Sequence, residues 1–298
     1  MTAPLHIPFT DKEIEDLKLA IRYLEHPGLA AKLSDLIGTP IDKLIKMLPN
    51  AAEKTITVVS EKAMNVALDI AIATLSKGQC DASPKSHKMA GAITGAVGGA
   101  AGLAGLAFEL PVTTTLMFRS IADIARAEGE DLKDPLTCMA CMEVFAFGGP
   151  GKGDDTAEGI YFGTRIALAK SISEAASYLA KGVATHEVAP ALVRLISSIA
   201  SRFGIVVSYK AAAQLAPVIG AIGGAVVNTL FLDHYQTIAK GHFIVRRLER
   251  AHGQARVRLA YQRLLAGQPV DDAAIECEQH RLVDGQFVVL DDNPTEQD

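Results

Sequence analysis

Two runs of this chain carry no charged residue over nearly the thickness of a bilayer core: 20 residues from Met89 to Phe108 and 22 from Ala211 to Leu232. Both are rich in glycine. The first places Gly91, Gly95 and Gly99 four apart in "GAITGAVGG", and the second places Gly220 and Gly224 four apart in "GAIGGAV". Each helical glycine costs about 1 kcal/mol relative to alanine, so a run with six glycines between residues 91 and 105 cannot hold a helix by itself. Small residues every fourth position instead leave a flat groove into which a second backbone fits, in lipid or in a tight soluble helix pair. The two runs are therefore expected to pack on each other.

Length alone permits a membrane span, since about 20 apolar residues cross the hydrocarbon. Quality argues the other way. The first run has only about six large apolar side chains, and the second contains Gln214, Pro217 and Asn228. Buried or reversibly membrane-seeking helices are the expectation, with stable insertion as the alternative.

The rest of the composition fits helices in close contact. Hydrophobic residues make up 49% of the chain but aromatic residues only 5%, without Trp, so Ala, Gly, Leu, Ile and Val supply the apolar surface. A formal charge of −5 gives no general attraction to nucleic acid. Four cysteines in 298 residues make no disulfide framework, and "MTAPLHIPFTDKEIEDL" lacks the pattern of a secretory signal. These features lead to the expectation of a cytoplasmic protein, peripheral at the inner membrane.

Along the chain the pattern is helical. Thr10 and Glu13 form a capping box ahead of Ile14, Leu17, Ile21 and Leu24. Helices are expected near 29–48 and 51–77, then a polar linker "KGQCDASPKSHK". Pro111 is expected to open a helix, Asp134 to cap one with Pro135 at its first position, and longer helices to cover 155–181 and 185–203. "RLVDGQFVVL" reads as a small hairpin turning at Asp284 and Gly285. The fold class is all-α: one bundle-like domain of about ten helices around the glycine-rich pair. Its expected divisions are an N-terminal segment (1–80), a core (81–266) and an acidic appendage (267–298).

The runs "GAITGAVGGAAGLAGLAFELPVTTTLMFRSIADIARAEGEDLKDP", "FGGPGKGDDTAEGIYFGTRIALAKSISEAASYLAKG" and "SRFGIVVSYKAAAQLAPVIGAIGGAVVNTLFLDHYQTIAKGHFIVRRLER" resemble the EcsC protein family. The resemblance covers roughly residues 85–250. It implies a bacterial helical protein, cytoplasmic or membrane-associated. The gene that names the family lies beside a transporter operon, which implies a transporter adaptor as one role. No catalytic residue comes with the resemblance.

Candidate chemistry is sparse. Cys138 and Cys141 form a lone CxxC without the second ligand pair that zinc needs, and read as small core residues. "DDTAE" at 154–158 groups three carboxylates suited to a hard cation, but Asp155 and Glu158 also fit a capping box. "GGPGKG" lacks the glycine spacing and the Ser/Thr of a P-loop. Arg119 and Asp123 are spaced as an intrahelical pair. Glu109 follows the first glycine run, while Asp233, His234 and His242 follow the second. If the runs pair, a carboxylate meets an Asp and a His, a site for a divalent metal or general acid/base work. That is the basis of the alternative function, a hydrolase or metal-dependent enzyme.

Charge asymmetry points elsewhere. From His242 to Leu264 there are six arginines, at 246, 247, 250, 256, 258 and 263, against Glu249. Interleaved with Phe243, Ile244, Val245 and Leu248, they read as a basic amphipathic stretch suited to anionic lipid. From Asp271 to Asp298 nine acids face Arg281 alone, so the tail is expected to cover that stretch. The leading expectation is a peripheral protein that contacts or binds lipid.

Overall fold

The computed structural model describes residues 7–25, 28–77, 102–149, 159–181, 190–216 and 221–283. It opens on the capping box. The Thr10 amide donates to Glu13 Oε2 at 2.8 Å while the Glu13 amide donates to Thr10 Oγ1 at 3.3 Å, starting α1 (Asp11–Glu25). Leu17 and Leu24 are buried on its inner face, with Ile14 and Ile21 packed at the margin. The expected helix at 29–48 is two helices, α2 (Leu29–Ile37) and α3 (Ile41–Lys46). Gly38 takes a left-handed φ of 71° and its amide caps Ser34 O, while Pro40 restricts Thr39 before it, so a continuous helix is excluded.

After α3 comes α4 (Asn50–Lys77), then α5 (Gly102–Ala127), which runs through Pro111 instead of starting there. Pro111 removes one backbone donor, but Leu106 and Leu110 on the preceding turns are wholly buried, and their packing offsets that loss. Asp134 caps α6 (Pro135–Glu143) by accepting from the Leu136 amide at 3.1 Å, with Pro135 at the first position. Every side chain of α6 from Thr137 to Glu143 is buried, Cys138 and Cys141 included. A 3₁₀ turn (Val144–Ala146) follows. The remaining helices are α7 (Gly159–Ala180), α8 (Pro190–Gln214), α9 (Ala221–His252), α10 (Gln254–Leu265) and α11 (Asp272–Val283). Arg281 to Val283, expected in a hairpin, form the last turn of α11, and no strand occurs among the described residues. Asp284 and Gly285 lie outside them.

The fold is all-α. α4 packs between α5 and α8; α9 packs along α5 and α1; α6 enters between α4 and α7. One hydrophobic core runs from Phe9 to Ile275. α8 is the one described helix long and apolar enough to cross a membrane, and half of its apolar window is buried in the bundle. Asp123 pairs with Arg126 at 3.0 Å, one turn on, instead of with Arg119.

Close approach of α1 and α9 depends on Gly241. A Cβ there would sit 2.8 Å from Leu24 Cγ and 3.2 Å from the Ala20 carbonyl oxygen, which is fixed backbone. In an isolated helix Gly241→Ala would gain about 1 kcal/mol, but overpacking costs about 1–3 kcal/mol and here forces two helices apart. Gly241→Ala is expected to lower the melting temperature, and a rise would show that α1 yields freely.

Candidate functional site

The two uncharged runs leave the described helices at one end of the bundle. There α5 begins, α8 ends and α9 begins, and one buried network ties the three. Lys210 Nζ on α8 donates to Glu109 Oε1 on α5 at 2.6 Å and to Asn228 Oδ1 on α9 at 2.6 Å. Thr113 Oγ1 donates to Asn228 at 3.4 Å, and Gln214 Nε2 reaches Glu109 Oε2 at 3.5 Å. Lys210 is fully buried, with its ammonium 5.0 Å from the centre of the Phe231 ring. Burial pushes the Lys210 ammonium below its ordinary range, and the Glu109 carboxylate opposes that push.

Just outside this network α5 turns large apolar side chains outward. Phe108 is 82% exposed and Val112, one turn on, is 47% exposed. Leu215 at the end of α8 and Val226 at the start of α9 are also exposed. Gly224 is buried. Gly91, Gly95, Gly99 and Gly220 lie outside the described residues, and so do the "DDTAE" carboxylates.

The four candidate ligands do not assemble. Glu109 is taken by Lys210; Asp233 lies at the surface, 3.6 Å from Lys32. Asn228 is the α9 residue at the level of Glu109, and Asp233, five positions on, is rotated by about 140° around the helix. His234 is buried against Gly148, where a Cβ would come within 2.5 Å of His234 Nε2. His242 is two turns further along and has other partners. Among the described residues no group of three or more His, Cys, Asp and Glu side chains is placed to hold a metal ion.

His242 belongs to a second buried network between α6, α7 and α9. Its Nδ1 is 2.9 Å from Tyr161 Oη, and its Nε2 is 3.9 Å from Glu143 Oε2, too far for a hydrogen bond. Arg165 binds both oxygens of Glu249, at 2.6 and 3.1 Å. Burial pushes Glu143 up to about 7, against the pull of Arg165 and Arg246. Burial, with the positive charge of Arg165 and Arg246, pushes His242 well below its usual value. His242 is wholly inaccessible and Glu143 nearly so, and the network joins α6, α7 and α9. A sequence signal for it exists. Glu143 is the only charge in "CMACMEVFAF", an otherwise apolar segment.

The arginine stretch is not a free cationic face. Arg246 donates to both oxygens of Glu130, at 2.8 and 3.1 Å, and Arg250 pairs with the same carboxylate. Burial pushes Glu130 up, but the hydrogen bond and charge of Arg246, with Thr137 and Arg250, hold it below its ordinary range. Arg247 pairs with Asp16 at 2.7 Å and Glu128 at 3.2 Å. Arg256, expected at the surface, is buried; it pairs with Asp272 and Glu276 and lies over the Phe9 ring. Arg258 is half-buried. Arg263 meets Glu278 at 3.0 Å, so the acidic α11 does lie on the basic α10. Amphipathic spacing placed these arginines outward because the partners, Asp16, Glu128 and Glu130, come from distant sequence.

No curated protein and no solved structure matches the chain. Residues 12–248 match the EcsC protein family, and the chain belongs to that family.

Proposed function

We propose that the protein works as a peripheral, lipid-contacting protein at the cytoplasmic face of a membrane, through the end of the bundle where α5 and α9 begin. The observation that carries this reading is the outward pair Phe108 and Val112, which lies where the uncharged runs 89–108 and 211–232 meet the described helices. A pair of large apolar side chains at the mouth of two uncharged segments is suited to shallow insertion into acyl chains. The contact is apolar in character, because Arg246, Arg247, Arg250, Arg256 and Arg263, which would attract anionic headgroups, are engaged in ion pairs.

Vesicle flotation tests it. Wild-type protein is expected to float with neutral and anionic vesicles alike, with little change as salt rises, since apolar contact is not screened. Phe108→Asp with Val112→Asp is expected to leave the melting temperature unchanged and to weaken binding by about 3 kcal/mol, roughly a hundredfold. Failure to float with either lipid at low salt would sink the reading. Binding confined to anionic vesicles and lost in salt would move it back to the arginine stretch.

A further inference from the structure

A groove of about 470 Å³ lies between the α3–α4 corner and the middle of α8. That volume falls in the range of small-molecule sites. Ile45, Leu48, Pro49 and Ile56 wall one side, and Ala200 and Ile205 the other. Three hydroxyls also line it, each with its proton donated inside its own helix. Thr57 donates to Glu53 O at 3.0 Å, Ser201 to Ser198 O at 2.9 Å, and Ser208 to Ile205 O at 2.6 Å. The walls are therefore mainly carbon, and their hydroxyls offer no free proton to a ligand. Asn50 and Glu53 sit together at the start of α4, and Glu53 is the one charged group in the lining. Glu53 is exposed and has no ion-pair partner among the described residues.

We infer that this groove binds a single-chain amphiphile, its alkyl chain along Leu48, Ile56 and Ile205 and a cationic, hydrogen-bond-donating head at Glu53. Apolar walls take the chain by burial of its methylenes. The unpaired carboxylate selects the head: it attracts an ammonium, accepts from a hydroxyl and repels a carboxylate. Long-chain amines and amino alcohols are the ligand class. This deepens the lipid-facing reading but rests on different residues.

The test uses the full-length protein and three probes with the same chain, dodecylamine, 1-dodecanol and dodecanoate, each as monomers without vesicles. Displacement of the neutral fluorophore N-phenyl-1-naphthylamine reports binding. The amine is expected to bind about tenfold more tightly than the carboxylate, with the alcohol between them. Glu53→Gln is expected to bring the amine to the level of the alcohol and leave the alcohol unchanged. Ser201→Phe, at an exposed position on the rim, is expected to block all three while the melting temperature stays native. Equal affinities for the three probes, no displacement, or native binding by Ser201→Phe would each overturn the inference. Phe108→Asp with Val112→Asp is expected to leave probe binding intact, so loss of vesicle flotation and loss of this site are separate outcomes.

Discussion

Lys210→Met is expected to destabilise the protein by about 3–5 kcal/mol, measured by urea unfolding at neutral pH. The ammonium sits among Glu109, Asn228 and the Phe231 ring with no exposure. Removing it leaves a buried carboxylate without its counter-charge, and that stranded group, more than the lost attraction, sets the cost. Adding Glu109→Leu removes the stranded charge, so the double variant is expected to recover to within about 1–2 kcal/mol of wild type, because an apolar pair of similar volume replaces a buried ion pair at little loss. A single-variant cost below about 1 kcal/mol would mean that water reaches the pair. The three helix ends joined here carry the exposed Phe108, Val112, Leu215 and Val226, which makes the pair the internal brace of the face assigned to lipid.

Glu143 gives the second large effect. Its folded pKa, raised to about 7 from the ordinary 4.5, means that the folded state holds the proton more tightly than the unfolded state does. Its favourable contribution is complete below pH 4.5 and is lost as pH rises to about 7. The loss totals about 3 kcal/mol at 1.36 kcal/mol per unit. His242, held neutral in the fold, has the opposite slope: its unfolded form takes up a proton below about 6.5, so its contribution fades as pH falls. The two slopes oppose between pH 4.5 and 6.5, so wild type alone does not reveal either. Glu143→Gln does, because the amide mimics the protonated acid. At pH 4.5 the variant is expected to match wild type in urea unfolding, and at pH 8 to exceed it by as much as about 3 kcal/mol. A variant weaker than wild type at pH 8 would show that the fold favours the ionised carboxylate, through Arg165 and Arg246, and that its pKa is not raised.

Local signals in the sequence were dependable where a few neighbouring residues decide the outcome. The Thr10–Glu13 box, the Asp134–Pro135 start and the apolar face of α1 depend on contacts within one or two turns. The charge inversion after Asp271 likewise anticipated that α11 pairs with α10, since the partners are close in sequence. What a periodicity could not reveal is which helix faces which. Glu109 was expected near Asp233 and His234, but the carboxylate meets Lys210, which lies ahead of the second glycine run, not after it. Arg246, Arg247 and Arg250 carried the marks of a lipid face, yet their acids come from more than a hundred residues earlier. Pro111 misled for a related reason: long-range packing of Leu106 and Leu110 carries the helix across a local breaker.

Glu25, the last residue of α1, joins three parts of the chain that lie far apart in sequence. Its carboxylate accepts from the Ile160 and Tyr161 amides at the start of α7, at 2.9 and 3.3 Å, and from the Tyr261 hydroxyl on α10 at 2.7 Å. A helix usually draws its N-terminal cap from the residue just before it. Here the cap arrives from 135 positions upstream of Ile160 and is itself fastened by Tyr261, well downstream of the helix it caps. During synthesis Glu25 emerges well before α7 and can accept its first amides at once, whereas the Tyr261 hydroxyl that fastens the carboxylate follows later. The first 80 residues are on this account no detachable preface: a chain cut at that point loses the group that starts its middle helix, and the two pieces are expected to find structure only together.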